Sequence, residues 1–307
     1  MPDSFSSRRT FLASLGTVAA SLTLRPACLQ GADEKPAGEL KFVVVTDTHL
    51  GYQGQDKAEK VWAKTAAAID KTLEATGGAF VLHLGDIVDG GREPFYPKYV
   101  EARKTIRKPV YETSGNHDPA AMFTKYIRPE LDTVVDHDRL RVLLVSNAHT
   151  DSHDGFLTPD QIAWMSAKTD EAAQQGKLIL FAMHVPVHDN KHPDRGWYVK
   201  PAAGQKEFYA LIDKHKSRTL GIFHGHFHNG LRGWDDRAPV HEVCFPSALY
   251  NQDRALEKNG APGYNVPEFR PGFTVVTIKA DTMELSYRTL DGDVGKEAAT
   301  KKLPRKA

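Results

Sequence analysis

The sequence predicts an α/β fold of four layers, two mixed sheets flanked by helices in an α/β/β/α sandwich. Three observations lead there. Short, almost unbroken apolar runs recur along the first 228 residues, and each ends on polar residues. Several spans between those runs carry a helical period, and after residue 228 the pattern is strand alone.

The first run, residues 41–45, is a candidate buried strand because a strand covered on both faces reads as continuous apolar sequence. Asp47 follows it directly. The same order recurs for Asp86 after residues 80–84, Asn116 after 109–113, His184 after 178–182 and His226 after 220–223. Five strands therefore deliver polar residues at their carboxyl ends, where open α/β sheets place their ligands. Between them, Val61, Trp62, Thr65, Ile69 and Leu73 share one helical face, and Gly77-Gly78 supplies the stop. Leu157-Thr158-Pro159-Asp160-Gln161-Ile162 predicts a helix start, with Thr158 as cap, Pro159 in the first turn, Gln161 reaching back and Leu157 stapled to Ile162. A third helix is expected over 205–215. Beyond His228, residues 239–245, 273–279 and 283–287 read as strands, and a second sheet packed on the first completes the sandwich.

The strand-end residues form five blocks: Asp47-Thr48-His49, Gly85-Asp86-Ile87-Val88-Asp89, Gly115-Asn116-His117-Asp118, His184, and Gly225-His226-Phe227-His228. They offer carboxylate, imidazole and amide donors without thiolate, a set that suits manganese, iron or zinc in a hydrolytic centre. His226 and His228 leave the same side of an extended segment, so each can serve one of two metals held about 3.5–4 Å apart. Asp86, beside glycine in a tight turn, is the natural bridge. Two divalent cations exceed the charge of Asp47 and Asp86, and the surplus can hold a phosphate anion and keep a bound water deprotonated. The expected nucleophile is hydroxide, not a side chain.

In type and order the five blocks resemble the calcineurin-like metallophosphoesterase family. The resemblance spans Asp47 to His228 and leaves the strands after it without a motif. It implies one metal on Asp47, His49, Asp86 and His228, and another on Asp86, Asn116, His184 and His226. It further implies that His117 faces the substrate and stabilises or protonates the leaving oxygen, with Asp89 orienting its ring and Asp118 supporting the site from behind. Purple acid phosphatases have tyrosine at the position of Asp89. Protein phosphatases of the family continue as Asp-Arg-Gly and Asn-His-Glu, where this chain has Asp89-Gly90-Gly91 and Asn116-His117-Asp118. The chain is similar to the compact bacterial phosphodiesterase branch, although that branch often has His-His-Pro where this chain has His184-Val185-Pro186. The expected activity is metal-dependent hydrolysis of a phosphodiester or phosphomonoester. Alternatives are an exported phosphomonoesterase or protein phosphatase and, in another class, a metal-binding scaffold without turnover.

Ser7-Arg8-Arg9-Thr10-Phe11-Leu12, followed by uncharged residues to Leu24, resembles a twin-arginine export signal, which implies the twin-arginine translocation machinery as partner and a periplasmic or cell-surface destination. The uncharged stretch of 15 residues is shorter than the roughly 20 a spanning helix needs. Residues 1–32 are thus expected to be removed, with Cys28 a weak lipoprotein candidate. Residues 40–290 form the single domain, and 291–307 a solvated basic tail. A net charge of +1 offers no general attraction for nucleic acid. Two loops, 185–204 and 250–272, are expected to select the substrate, with His188, Arg195, Trp197, Tyr198 and Tyr250 as candidate contacts. His83, His137, His149, His153, His215 and His241 read as surface or satisfied core residues.

Overall fold

The computed structural model describes residues 38–54, 56–190, 195–233, 240–252, 269–290 and 297–304; the export motif and Cys28 lie outside them. The chain begins with β1 (Leu40–Val45), α1 (Lys57–Thr76), β2 (Val81–His83), α2 (Tyr96–Arg103), β3 (Val110–Glu112) and α3 (Ala120–Tyr126). It then runs through β4 (Thr133–His137), β5 (Leu140–Leu144), α4 (Pro159–Gln174), β6 (Leu178–Ala182), α5 (Gln205–His215), β7 (Thr219–His224) and β8 (His241–Cys244). β9 (Gly272–Ile278), β10 (Thr282–Thr289) and β11 (Glu297–Pro304) complete it.

Alternation along the strands builds the layers. Leu40, Phe42 and Val44 of β1 enter a core shared by both sheets, while Val43 and Val45 face the helices α1 and α2. Leu178, Leu180 and Ala182 of β6 enter that same central core, and Ile179 and Phe181 face α4 and α5. Trp62 of α1 anchors the first helical layer: fully buried, it stacks on Tyr99 at 5.0 Å and donates its indole N–H to the Tyr99 carbonyl. At the start of α4 the Thr158–Gln161 capping box is formed in both directions, satisfying donors that a helix start otherwise leaves orphaned.

The sandwich is as expected, but the strands are shared out differently. The five strands that precede the blocks do not form one sheet with the later strands forming the other. One sheet has the order β11-β10-β9-β1-β2-β3 and the second β4-β5-β6-β7-β8. β1, β2 and β3 are parallel, and β9 joins β1 antiparallel, whereas β5 to β8 run parallel with β4 antiparallel at the edge. The cause is a crossover after β3, where the chain leaves the first sheet and starts the second with the β4–β5 hairpin. The expected solvated tail is also corrected. Glu297–Pro304 is a strand paired to β10, and Leu303 is buried in the central core. Its lysines lie along a sheet edge, where charge discourages pairing with another chain.

Candidate metal centre

The loops that carry the five blocks are zipped together by backbone bonds. Asp47 and His49 N–H groups donate to the Gly85 and Asp86 carbonyls, and Gly225 N–H donates to the His184 carbonyl. His226 N–H donates to the Asp47 carboxylate at 3.2 Å, and His117 N–H to Asp86 Oδ1 at 2.9 Å. These approaches explain two glycines. A Cβ on Gly115 would lie 2.2 Å from Asp86 Oδ1, and one on Gly225 would lie 2.1 Å from Thr46 Oγ1. The turns are also strained: Asp47, His49, Asp86, His226 and His228 all have positive φ, a conformation that non-glycine residues resist and that clusters at functional sites.

Asp47, His49, Asp86 and His228 bring one donor atom each to a common point, and Asp86, His184 and His226 bring theirs to a second. Asp86 Oδ2 stands between the groups, 3.4 Å from His49 Nε2 and 3.2 Å from His184 Nε2. His228 Nε2 lies 3.0 Å from Asp47 Oδ1. Facing ring nitrogens meet at 3.1 Å in both groups, His49 with His228 and His184 with His226. That separation suits two donors on one ion, given metal–nitrogen distances of about 2.0–2.1 Å. Asn116 Oδ1, buried and without a hydrogen-bond partner among the described residues, is available as a further donor beside Asp86.

Each imidazole is oriented by its other nitrogen. His184 Nδ1 donates to the Leu84 carbonyl at 2.7 Å, His228 Nδ1 to Tyr250 at 2.9 Å, and His226 Nε2 to His153 at 3.0 Å. His49 Nδ1 faces Asp89 Oδ1 at 3.4 Å. Such outer contacts fix the tautomer that presents a lone pair to a metal. The buried charges of the two groups are strongly coupled. Against the desolvation of burial, the carboxylates pull His49 up to about 10 and His184 up to about 9, while burial and neighbouring rings push His226 and His228 down. Asp86 is held well below the usual carboxylate range by His184 and His49 in spite of its burial. The donor set fits two metal ions.

His117 is half-exposed and lines the cleft above this floor. Its Nδ1 accepts from Gly90 N–H at 3.0 Å, which assigns the proton of the neutral ring to Nε2. Asp89 Oδ1 lies 3.3 Å from the same Nδ1, and the carboxylate is held low by His117 and His49 against its partial burial. Asp118 accepts from Ile87, Val88 and Gly115 N–H groups and from the Tyr96 hydroxyl, and so positions the Asp86 and Asn116 turns.

The cleft has a volume of about 340 Å³, and Arg195, Trp197 and Tyr250 are among the residues that line it. Tyr198 and His188 do not line it: Lys200 Nζ sits 3.6 Å from the Tyr198 ring centroid, and His188 is buried against Glu242, which also accepts its backbone N–H. Arg195 donates to the Phe227 carbonyl and to Asn229, bracing the last block. His153, expected as a surface or satisfied core residue, instead stacks on Trp197 at 4.1 Å and lines the cleft. His83 is as expected: it is sealed in the core, accepting from Gly85 N–H and bonded to Thr48. Asn147 and Ser247 escape sequence reasoning. Asn147 Oδ1 accepts from His184 and Val185 N–H, and the Ser247 hydroxyl donates to the Asp47 carbonyl. Neither stands in a motif.

Fold and site together define a dinuclear, metal-dependent hydrolase of phosphoric esters. The calcineurin-like phosphoesterase profile matches residues 40–230, and the chain belongs to that family. It is 26% identical over 278 residues to a probable cyclic nucleotide phosphodiesterase of Rhodopseudomonas palustris, covering 79% of this chain and 89% of the relative. It is 27% identical over 157 residues to the glycerophosphodiester phosphodiesterase GpdQ of Enterobacter lignolyticus, covering 47% of this chain and 54% of the relative. In fold it is similar to a dimetal phosphatase from Danio rerio, with a TM-score of 0.62 at 13% identity over 89% of this chain and 99% of the other.

Proposed function

We propose that the protein hydrolyses small organic phosphodiesters, with one metal held by Asp47, His49, Asp86 and His228 and the other by Asp86, Asn116, His184 and His226. The carrying observation is Asp86 Oδ2, within 3.4 Å of a histidine from each donor group, on the floor of a cleft that His117 lines. Manganese, iron or zinc would draw charge from the phosphoryl oxygens and acidify bound water. The chain's own residues do the rest. His117 acts as the doubly protonated ring, its Nδ1–H meeting Asp89 Oδ1; it gives the Nε2 proton to the departing oxygen and is left neutral. Trp197, backed by His153, and Tyr250, stacked on Tyr52 at 4.9 Å, give the cleft aromatic walls. Such walls accommodate the second organic substituent that separates a diester from a monoester. The two relatives named above are both described as phosphodiesterases, which supports this preference.

The test is a panel of cyclic nucleotides, glycerophosphodiesters, nucleoside monophosphates and a phosphopeptide, assayed on manganese- and zinc-loaded protein with and without Trp197→Ala. A kcat/KM about tenfold or more higher on diesters is expected, and the variant should alter the ranking while sparing a small generic diester. Monoesters turned over better than every diester would overturn the preference. We also infer export of a folded precursor by the twin-arginine route, on the Arg8-Arg9 motif. No helix among the described residues is long and apolar enough to cross a membrane. Arg8→Lys with Arg9→Lys should leave the precursor in the cytoplasm, and normal processing of that variant would count against the route.

A further inference from the structure

His188, His224 and Glu242 form a second buried group of donors, outside the seven residues of the dinuclear centre. His224 ends β7 and is wholly buried, yet neither ring nitrogen has a hydrogen-bond partner among the described residues. A buried polar group left unpaired is costly, and few are tolerated without a reason. Glu242, in β8, points its carboxylate at the same place. Its Oε1 accepts from Val187 and His188 N–H at 2.8 and 2.9 Å, and its Oε2 accepts from the Tyr209 hydroxyl at 2.8 Å. The carboxylate is thus oriented from three sides. His188 Nδ1 lies 3.0 Å from Glu242 Oε1 but is not aligned to donate to it, and His224 Nε2 lies 3.7 Å away, beyond hydrogen-bond reach.

Two imidazoles and one carboxylate are the three-ligand set with which proteins hold a single zinc ion. Their donor atoms all lie within 4.8 Å of one another, and one pair, His188 Nδ1 and Glu242 Oε1 at 3.0 Å, is already at the spacing of ligands on one ion. We propose that His188, His224 and Glu242 bind a third metal ion, a zinc, separate from the dinuclear pair. The zinc ties the segment that begins at His184 to the β7–β8 edge of the second sheet. Because that segment carries Arg195 and Trp197 into the cleft, the ion fixes one wall of it. A zinc here satisfies one nitrogen of His224 and uses the lone pair that His188 offers without changing the bonds from Tyr209, Val187 and His188 N–H.

Zinc-edge anomalous diffraction on crystals of the whole protein grown with zinc tests this without any substitution. A peak among His188, His224 and Glu242 is expected, apart from two near Asp86. No peak there while the Asp86 positions are filled overturns the inference. A peak there with none at Asp86 supports it and instead sinks the dinuclear reading. In solution, zinc-equilibrated wild type should retain three ions per chain by emission spectrometry. Glu242→Gln keeps the oxygen that the backbone N–H groups need, so with unchanged circular dichroism it should retain two. Three ions retained by a folded Glu242→Gln variant would overturn the inference.

Discussion

The two sheets contribute unlike chemistry to the centre they share. Loops after β1, β2 and β3 of the first supply both carboxylates, the amide and one imidazole: Asp47, Asp86, Asn116 and His49. Loops after β6 and β7 of the second supply imidazoles alone, His184, His226 and His228. Negative charge therefore sits on one layer and neutral donors on the other, and Asp86 alone reaches both donor groups. Metals held this way join the layers, so binding them adds to whatever the shared apolar core provides.

The sharpest test of that asymmetry compares one donor from each layer. Asp86→Asn should lose both metals and, with them, activity by on the order of 10³-fold or more, because the one carboxylate shared by the two donor groups loses its charge. His184→Asn should keep the metal of the first group. Equal metal loss in the two variants, by emission spectrometry, would break the distinction. His117→Ala should retain both metals and lose roughly 10²- to 10⁴-fold in turnover. That defect should shrink with a nitrophenolate leaving group, which needs no proton; equal loss on good and poor leaving groups would assign His117 to phosphate positioning instead.

Chelation asks whether the metals join the sheets. A ligand at a hundred times its Kd adds about 2.7 kcal/mol, and each kcal/mol is worth about 2–4 °C in a domain of this size. Dialysis against a chelator should thus lower Tm by about 5–10 °C for each ion removed, and an unchanged melting curve would mean that the apolar core alone holds the layers. The smallest effect lies at the edge of the second sheet. Asp136 of β4 is held at about 2, chiefly by its hydrogen bonds to Arg141, with Lys177 adding and partial burial opposing. A carboxylate depressed in the fold stabilises it above its unfolded pKa of about 3.9 and loses that contribution as pH falls through about 2. Asp136→Asn should lower Tm by about 1–2 °C near pH 6, and the difference should close between about pH 4 and 2. A difference that persists at pH 2 would point to lost packing, not charge.

What could be read from the sequence follows from what each signal measures. The apolar run 178–182 is β6 to the residue, because a strand buried on both faces has no polar position to blur its ends. Thr158 and Gln161 announce α4 because both halves of their capping box are local in sequence. The division of strands between sheets has no such signal, since a doubly buried strand reads alike in either sheet. β11 was hidden because only Leu303 and Ala299 meet the core and the remaining positions look like a solvated tail. At the site, the carboxylates and imidazoles that cluster were legible as motifs at strand ends. Asn147, Ser247 and His153 were not, because each acts on backbone or rings that the sequence places far away.

The left-handed backbone at Asp47, His49, Asp86, His226 and His228 constrains how the centre can be altered, by experiment or by descent. Alanine and β-branched residues resist that conformation, so an alanine scan would record turn distortion and lost ligation as one number. Asparagine tolerates the turn and removes only charge or donor type, and glycine removes the side chain while leaving the turn relaxed. A lineage that gave up its metals could keep the fold most cheaply by passing through those two residues. Asparagine or glycine at these five positions would therefore mark a relative that has retired from chemistry with its architecture intact.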